Sequence, residues 1–151
     1  LVDFLQKQML IYSSKKYENI YILLNKEYDM PYHRLFLLCA SLGARKDLSL
    51  PVGEKGREFR SNYFSNDERN LAYSIILNNE AQGKDLEKFS DENFHSEARK
   101  ILESYAEGGM EDLVEHVFRE KWDGIKLDES HNNYPIDILN YVVTNLKDVP
   151  F

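Results

Sequence analysis

The sequence predicts an all-α fold, a compact bundle of about seven helices with at most a short pair of strands, in a single domain spanning residues 1–151. Three observations point there. Apolar residues recur at helical spacing in several separate stretches, most clearly over 90–118. Helix start and stop signals fall between those stretches. The hydrophobic content of 42% and charged content of 30% are those of a globular chain and not of a disordered one.

In chain order, residues 2–12 read as a helix with Val2, Leu5, Met9 and Tyr12 on one face. The polar run Ser13-Ser14-Lys15-Lys16 breaks it. Tyr17 to Tyr28 is a second helix, with Tyr17, Ile20, Tyr21, Leu24 and Tyr28 in step. Three tyrosines on one stripe suggest a face buried at its carbons and wet at its hydroxyls. Pro31 opens a third helix, where its missing N–H costs nothing. Leu35, Leu38, Cys39 and Leu42 form its stripe, Phe36, Leu37 and Ala40 widen it, and Gly43 is expected to end it. A helix this apolar belongs at the centre.

Residues 44–58 are the least regular part: 48–52 reads as extended, Gly53 and Gly56 as turns, and Arg57 to Phe64 as a short helix. Ser65 and Glu68 form a capping box, so a helix begins there with Leu71, Ala72, Ile75 and Ile76 buried. Residues 78–83 close it, and Lys84 to Phe89 is a turn or short helix. Ser90 then caps a helix carrying Phe94, Ala98, Ile101, Leu102 and Tyr105. Gly108-Gly109 is expected to break it, and Met110, Leu113, Val114, Val117 and Phe118 continue on a second helix. Asp123-Gly124 is a turn, Ile125 to Leu127 is extended, and Pro135 starts a last helix with Ile136, Leu139, Val143 and Leu146 aligned. The expected core is Leu35, Leu38, Leu42, Ile75, Ile101, Leu102, Leu113 and Val117.

The net charge is −7 and uneven: residues 1–47 carry +2 and the remainder −9. An acidic C-terminal part opposes broad wrapping of nucleic acid. One cysteine, Cys39, allows no disulfide within the chain, which fits a reducing cytoplasm. No stretch reads as a signal peptide, and no apolar run approaches the roughly 18–20 residues of a membrane span.

No motif names a reaction. The densest cationic stretch, residues 45–69, holds Arg45, Lys46, Lys55, Arg57, Arg60 and Arg69 and is the best nucleic-acid candidate, with contacts to phosphate. Acids are interspersed through it, so a mixed solvated surface is the competing reading. The glycines around Lys55 lack the spacing of a phosphate loop. Glu111, Asp112, Glu115 and His116 could supply metal ligands, but the remaining histidines are scattered and no metal or cofactor is expected. A metal-dependent enzyme that assembles its acids in space is the third alternative. Cys39 sits in an apolar helix, where a thiol is usually inert. For protein contact the candidates are Tyr17, Tyr21 and Tyr28, because Tyr is favoured at interfaces. Glu107, Gly108 and Gly109 join them, because a glycine pair admits another backbone and acids discourage an anion.

The apolar helix ending in glycine (residues 35–43), the basic turn and proline step (Arg45-Lys46 to Leu50-Pro51) and Tyr105-Ala106-Glu107-Gly108-Gly109-Met110-Glu111 carry a resemblance. The chain resembles the Dnd system-associated protein 4 family, small proteins found beside bacterial DNA phosphorothioation systems. It also resembles, more loosely, small middle subunits of phage-defence complexes built around an SMC-like ATPase. The similar part spans roughly residues 30–118. In the family an Asn often precedes the glycine pair, where this chain has Glu107. The resemblance implies a non-catalytic accessory subunit of a DNA-directed defence complex, with other protein subunits as partners and DNA reached through the complex.

Overall fold

Two helices that cross at their glycines organise the molecule. In the computed structural model, which describes residues 3–79 and 86–147, the described chain is mostly helical with one short pair of strands. The helices are α1 (Glu18–Tyr28), α2 (Tyr32–Lys46), α3 (Asn66–Leu77), α4 (Glu92–His116) and α5 (Tyr134–Lys147). The strands are β1 (Leu10–Ser14) and β2 (Lys55–Arg60), paired antiparallel with Leu10 opposite Arg60, Ile11 opposite Phe59 and Tyr12 opposite Glu58. Among the described residues the α-helices number five, not the expected seven.

The double glycine accounts for part of that difference. Residues 92–116 form one continuous helix of 25 residues, and Gly108-Gly109 lies inside it. A Cβ at Gly109 would stand 1.7 Å from the Cys39 carbonyl oxygen of α2, and one at Gly108 would stand 2.1 Å from the Leu48 carbonyl oxygen. Gly43 plays the reciprocal part on α2, where a Cβ would meet the Tyr105 carbonyl oxygen at 2.0 Å. These glycines let two backbones touch. The expected stop at Gly43 is accordingly misplaced: α2 runs on to Lys46 and ends where Asp47 adopts the left-handed conformation at φ 54°.

The N-terminal helix expected over 2–12 is the second correction. Phe4–Gln6 is a single 3-10 turn, and β1 follows. Val2 lies outside the described residues. Ile11 and Phe59 are buried cross-strand partners, so burial in a pair prevails over weak helical spacing. The partner strand β2 covers residues read from sequence as turn and short helix, and only Ser61–Tyr63 is a 3-10 turn. Ladder partners some fifty residues apart leave no local period to read.

Other signals hold. Ser65 and Glu68 form the reciprocal capping box at the start of α3. Pro31 is the N-cap of α2. The cap of α4 is Asp91, one residue beyond the expected Ser90, and its side chain accepts from the Asn93 N–H at 3.0 Å. Residues 80–83, and 84 and 85 of the segment before Phe89, lie outside the described residues; Leu86–Ser90 is a 3-10 turn. Trp122 and Leu127 form an isolated bridge across the Asp123-Gly124 turn.

Of the eight expected core residues, Leu35, Leu42, Ile75, Ile101, Leu102 and Leu113 are buried, while Leu38 and Val117 are half-buried. Leu71 is an error of phase and faces solvent. The last helix is inverted: Tyr134 and Ile138 go inward, and Ile136, Leu139 and Val143 are exposed by 59%, 61% and 42%. The side chain of Leu146 lies outside the described residues. Among the described residues no helix is long and apolar enough to cross a membrane.

Candidate functional site

Helix α4 is apolar where it crosses α2 and acidic where it meets β1 and α5. Glu103 and Glu107 stand four residues apart and share one face. Both are buried, and both accept from β1: Glu103 Oε2 from the Tyr12 N–H at 2.7 Å, and Glu107 Oε1 from the Ser14 hydroxyl at 2.8 Å. Asp112, buried on the same helix, accepts from Lys46 Nζ at 3.1 Å and from the Tyr141 hydroxyl at 2.7 Å. That pair of bonds ties α5 to the α2–α4 crossing.

Glu107 and Glu111 face an open cleft of about 620 Å³. Its other walls are Lys15, Lys16 and Tyr17 from the turn between β1 and α1, the irregular stretch Leu50–Glu54, and Gly124 and Ile125. Lys15 pairs with Glu54 at 3.5 Å on the rim, and the Lys16 ammonium lies 5.1 Å from the centre of the Tyr17 ring.

Burial pushes the Glu107 carboxyl up to about 7; the Ser14 hydroxyl and Lys16 ammonium pull it back, and Glu111 adds to the rise. Burial raises Glu103 as well, against the Tyr12 N–H and the nearby cations. An unfolded Glu ionises near pH 4.3, roughly, so the folded chain holds the Glu107 proton more tightly than the unfolded chain. That contribution is complete below the unfolded value and is lost as pH rises through about 7. Denaturant melts should therefore show stability falling from pH 5 to pH 8. Glu107→Gln should flatten that fall and be the more stable chain at pH 8 by about 1–2 kcal/mol, after allowance for screening by the open cleft. An unchanged pH profile in Glu107→Gln would exclude this carboxyl as the cause.

Apart from Tyr17, which lines the cleft, the structure places the other sequence candidates elsewhere. Tyr17 and Tyr21 are core residues, 2% and 3% exposed, and Tyr28 is half-buried with its hydroxyl on the His131 carbonyl. The wet tyrosine face is thus a correction, because α1 packs its stripe inward. Gly109 lies under α2 and Gly108 under Leu48 just beyond it, so both are covered by this chain's own backbone. Of the residues around the glycine pair, Glu107 reaches the cleft.

The five cations do not form one patch. Arg57 lies 5.9 Å from the Tyr32 ring at the start of α2, while Arg45 and Lys46 are at its end, about 20 Å away at 1.5 Å per residue. Lys46 is engaged with Asp112 and Tyr141. Lys55 caps the Tyr12 ring at 4.3 Å, and Arg60 bonds Gln8 at 2.7 Å. Arg69 is buried against Asp3 and the Phe64 carbonyl.

Among the described residues no three His, Cys, Asp or Glu side chains gather where a metal ion could sit. Asp112 and His116 do share a face at 3.2 Å, and Lys46 already pairs with the same Asp112 oxygen at 3.1 Å. Cys39 is fully buried, and burial pushes its thiol well up, so it is not a nucleophile in this fold.

Sequence reasoning missed two features, the burial of three α4 acids and the outward face of α5. The buried acids of α4 were visible as carboxylates at 103, 107 and 112 set among apolar positions, a pattern that signals partners elsewhere in the fold. The outward face of α5 had no such signal, because its spacing is equally that of a core stripe. No family model, curated protein or solved structure matches the chain.

Proposed function

We propose that this chain is a non-catalytic interaction subunit, and that the assembly it joins is the DNA-directed antiphage complex that the sequence resemblance implies. The observation that carries the interaction reading is α5. Ile136, Leu139 and Val143 recur at i, i+3 and i+7 on its outer side, each more than two-fifths exposed. Single exposed apolar residues are ordinary, but a stripe of three on one helix is the surface another amphipathic helix covers. Its spacing is that of a heptad seam. Covering the three returns roughly 3–5 kcal/mol at the usual coefficient for apolar area. The occupant is a helix of a different subunit.

The test is affinity capture from the native host, followed by reconstitution with proteins encoded beside this chain. The parent should retain a defence subunit. Ile136→Glu with Leu139→Glu should lose it while melting within a few degrees of the parent, since surface changes usually cost within about 0.5 kcal/mol each. A parent that recovers no partner and stays monomeric overturns the reading. A parent that pairs with itself through α5 overturns the choice of a different subunit.

A further inference from the structure

The cleft above Glu107 has the parts of a peptide site. Its floor is a carboxylate 8% exposed, with one oxygen committed to Ser14. Among the described residues the one fully buried side-chain nitrogen or oxygen without a hydrogen-bond partner is Arg99 Nε. Among the described residues Glu107 Oε2 takes no hydrogen bond, and Glu107 lines the cleft. Its lip is Val52-Gly53, whose backbone groups bond to no described residue. That lip is clamped on both sides, by Leu50 N–H to the Ser104 carbonyl at 3.0 Å and by Lys15 N–H to the Glu54 carbonyl at 2.8 Å. Ile125, 72% exposed, adds an apolar rim.

Charge narrows the ligand. Lys15 and Glu54 neutralise each other on the rim, and Lys16 lies against the Tyr17 ring. Lys16 also faces Glu107 and Glu111 and offsets one of the two, so the cleft keeps a net negative charge toward what enters. A buried carboxylate rewards a cation and rejects an anion. Because the acid lies at the floor and the free backbone groups at the lip, the cation must ride on a long stem while the ligand's backbone stays outside.

We propose that this cleft binds an extended peptide segment of a partner protein, pairing its backbone with Val52-Gly53 and inserting a lysine side chain toward Glu107 and Glu111. The site is separate from the α5 face and stands without it.

The same geometry makes the site pH-dependent. Facing Glu107 are Ser14 from β1, Lys16 from the turn before α1, Glu111 from α4, Cys39 from α2 and Tyr21 from α1, the last two held protonated by burial. A lysine ammonium needs Glu107 ionised. Affinity should therefore be higher at pH 8 than at pH 6, by up to about tenfold for one proton displaced.

The probe is an end-blocked pentapeptide, a central lysine flanked by alanine and valine, titrated into the full chain by NMR. Its controls are the same peptide with acetyl-lysine, and a lysine-free peptide with a free N-terminus. The lysine peptide should shift the Val52, Gly53 and Ile125 amides and bind about tenfold or more tightly than either control, as loss of a charge-assisted hydrogen bond implies. Glu107→Gln should weaken it by a similar factor. Glu111→Gln, at a half-buried position, should weaken it less. The proposal is overturned by any of three results: no shift at Val52 and Gly53, equal binding of the acetyl-lysine or free-N-terminus control, or unchanged affinity in both variants.

Discussion

Gly109→Ala should destabilise the chain by about 3 kcal/mol or more, the upper end for over-packing, because the added methyl meets backbone and not a side chain that can turn aside. The position tests the architecture through the sign of the effect. In a free helix interior the same change stabilises by about 1 kcal/mol. In this fold the new Cβ would lie 1.7 Å from the Cys39 carbonyl oxygen, and α2 must move off α4 to admit it. At about 2–4 °C per kcal/mol for a chain of this size, the melting temperature should fall by roughly 6–12 °C. The chain should fail to fold if its total stability is at the low end of the usual range. Gly53→Ala is the control: its Cβ meets nothing within 4 Å, so only the positive φ of 70° opposes it, at about 1 kcal/mol. A rise in melting temperature for Gly109→Ala would mean that the two helices do not touch there.

Asp112→Ala should cost about 3 kcal/mol, within the range for removing one member of a buried ion pair and reduced for the partly exposed Lys46. The Asp112 side chain is 3% exposed and takes hydrogen bonds from Lys46 and the Tyr141 hydroxyl, with the His116 ring at 3.2 Å. Removing it leaves the Lys46 ammonium without its acid and releases α5 from the crossing. Hydrogen exchange should locate the loss: amides of 134–147 should exchange faster by one to two orders of magnitude, while those of α2 and α4 change less. Replacing the set together, as Asp112→Leu, Lys46→Met and Tyr141→Phe, should cost less than Asp112→Ala alone, because no charge is then stranded. If Asp112→Ala melts with the parent and α5 exchanges normally, the three-residue tie does not hold the helix.

How much was legible depended on the kind of signal. The Ser65–Glu68 capping box, the Pro31 start, the stripes of α1 and α2 and, Leu71 apart, that of α3 are readable because each depends on neighbours within a turn or two. The site was legible only in fragments. Glu107 stands out in the sequence for its place beside the glycines, whereas Lys16, Glu111 and the free backbone of Val52-Gly53 come together only when β1, α4 and the stretch before β2 are packed. The tyrosines of α1 carried the residue type of an interface and the period of a core, and the core prevailed.

The sequence by itself determined the helical class, most helix starts and the greater part of the core, because a 3.6-residue period and a cap are local properties of the chain. Tertiary structure decided three things. It made Gly108-Gly109 a contact and not a break, since a missing Cβ has no meaning until something approaches it. It paired Leu10–Ser14 with Lys55–Arg60, because a ladder joins residues whose spacing along the chain carries no period. It turned Ile136, Leu139 and Val143 outward, because an amphipathic helix states that it has an apolar face and only its neighbours determine which side is covered.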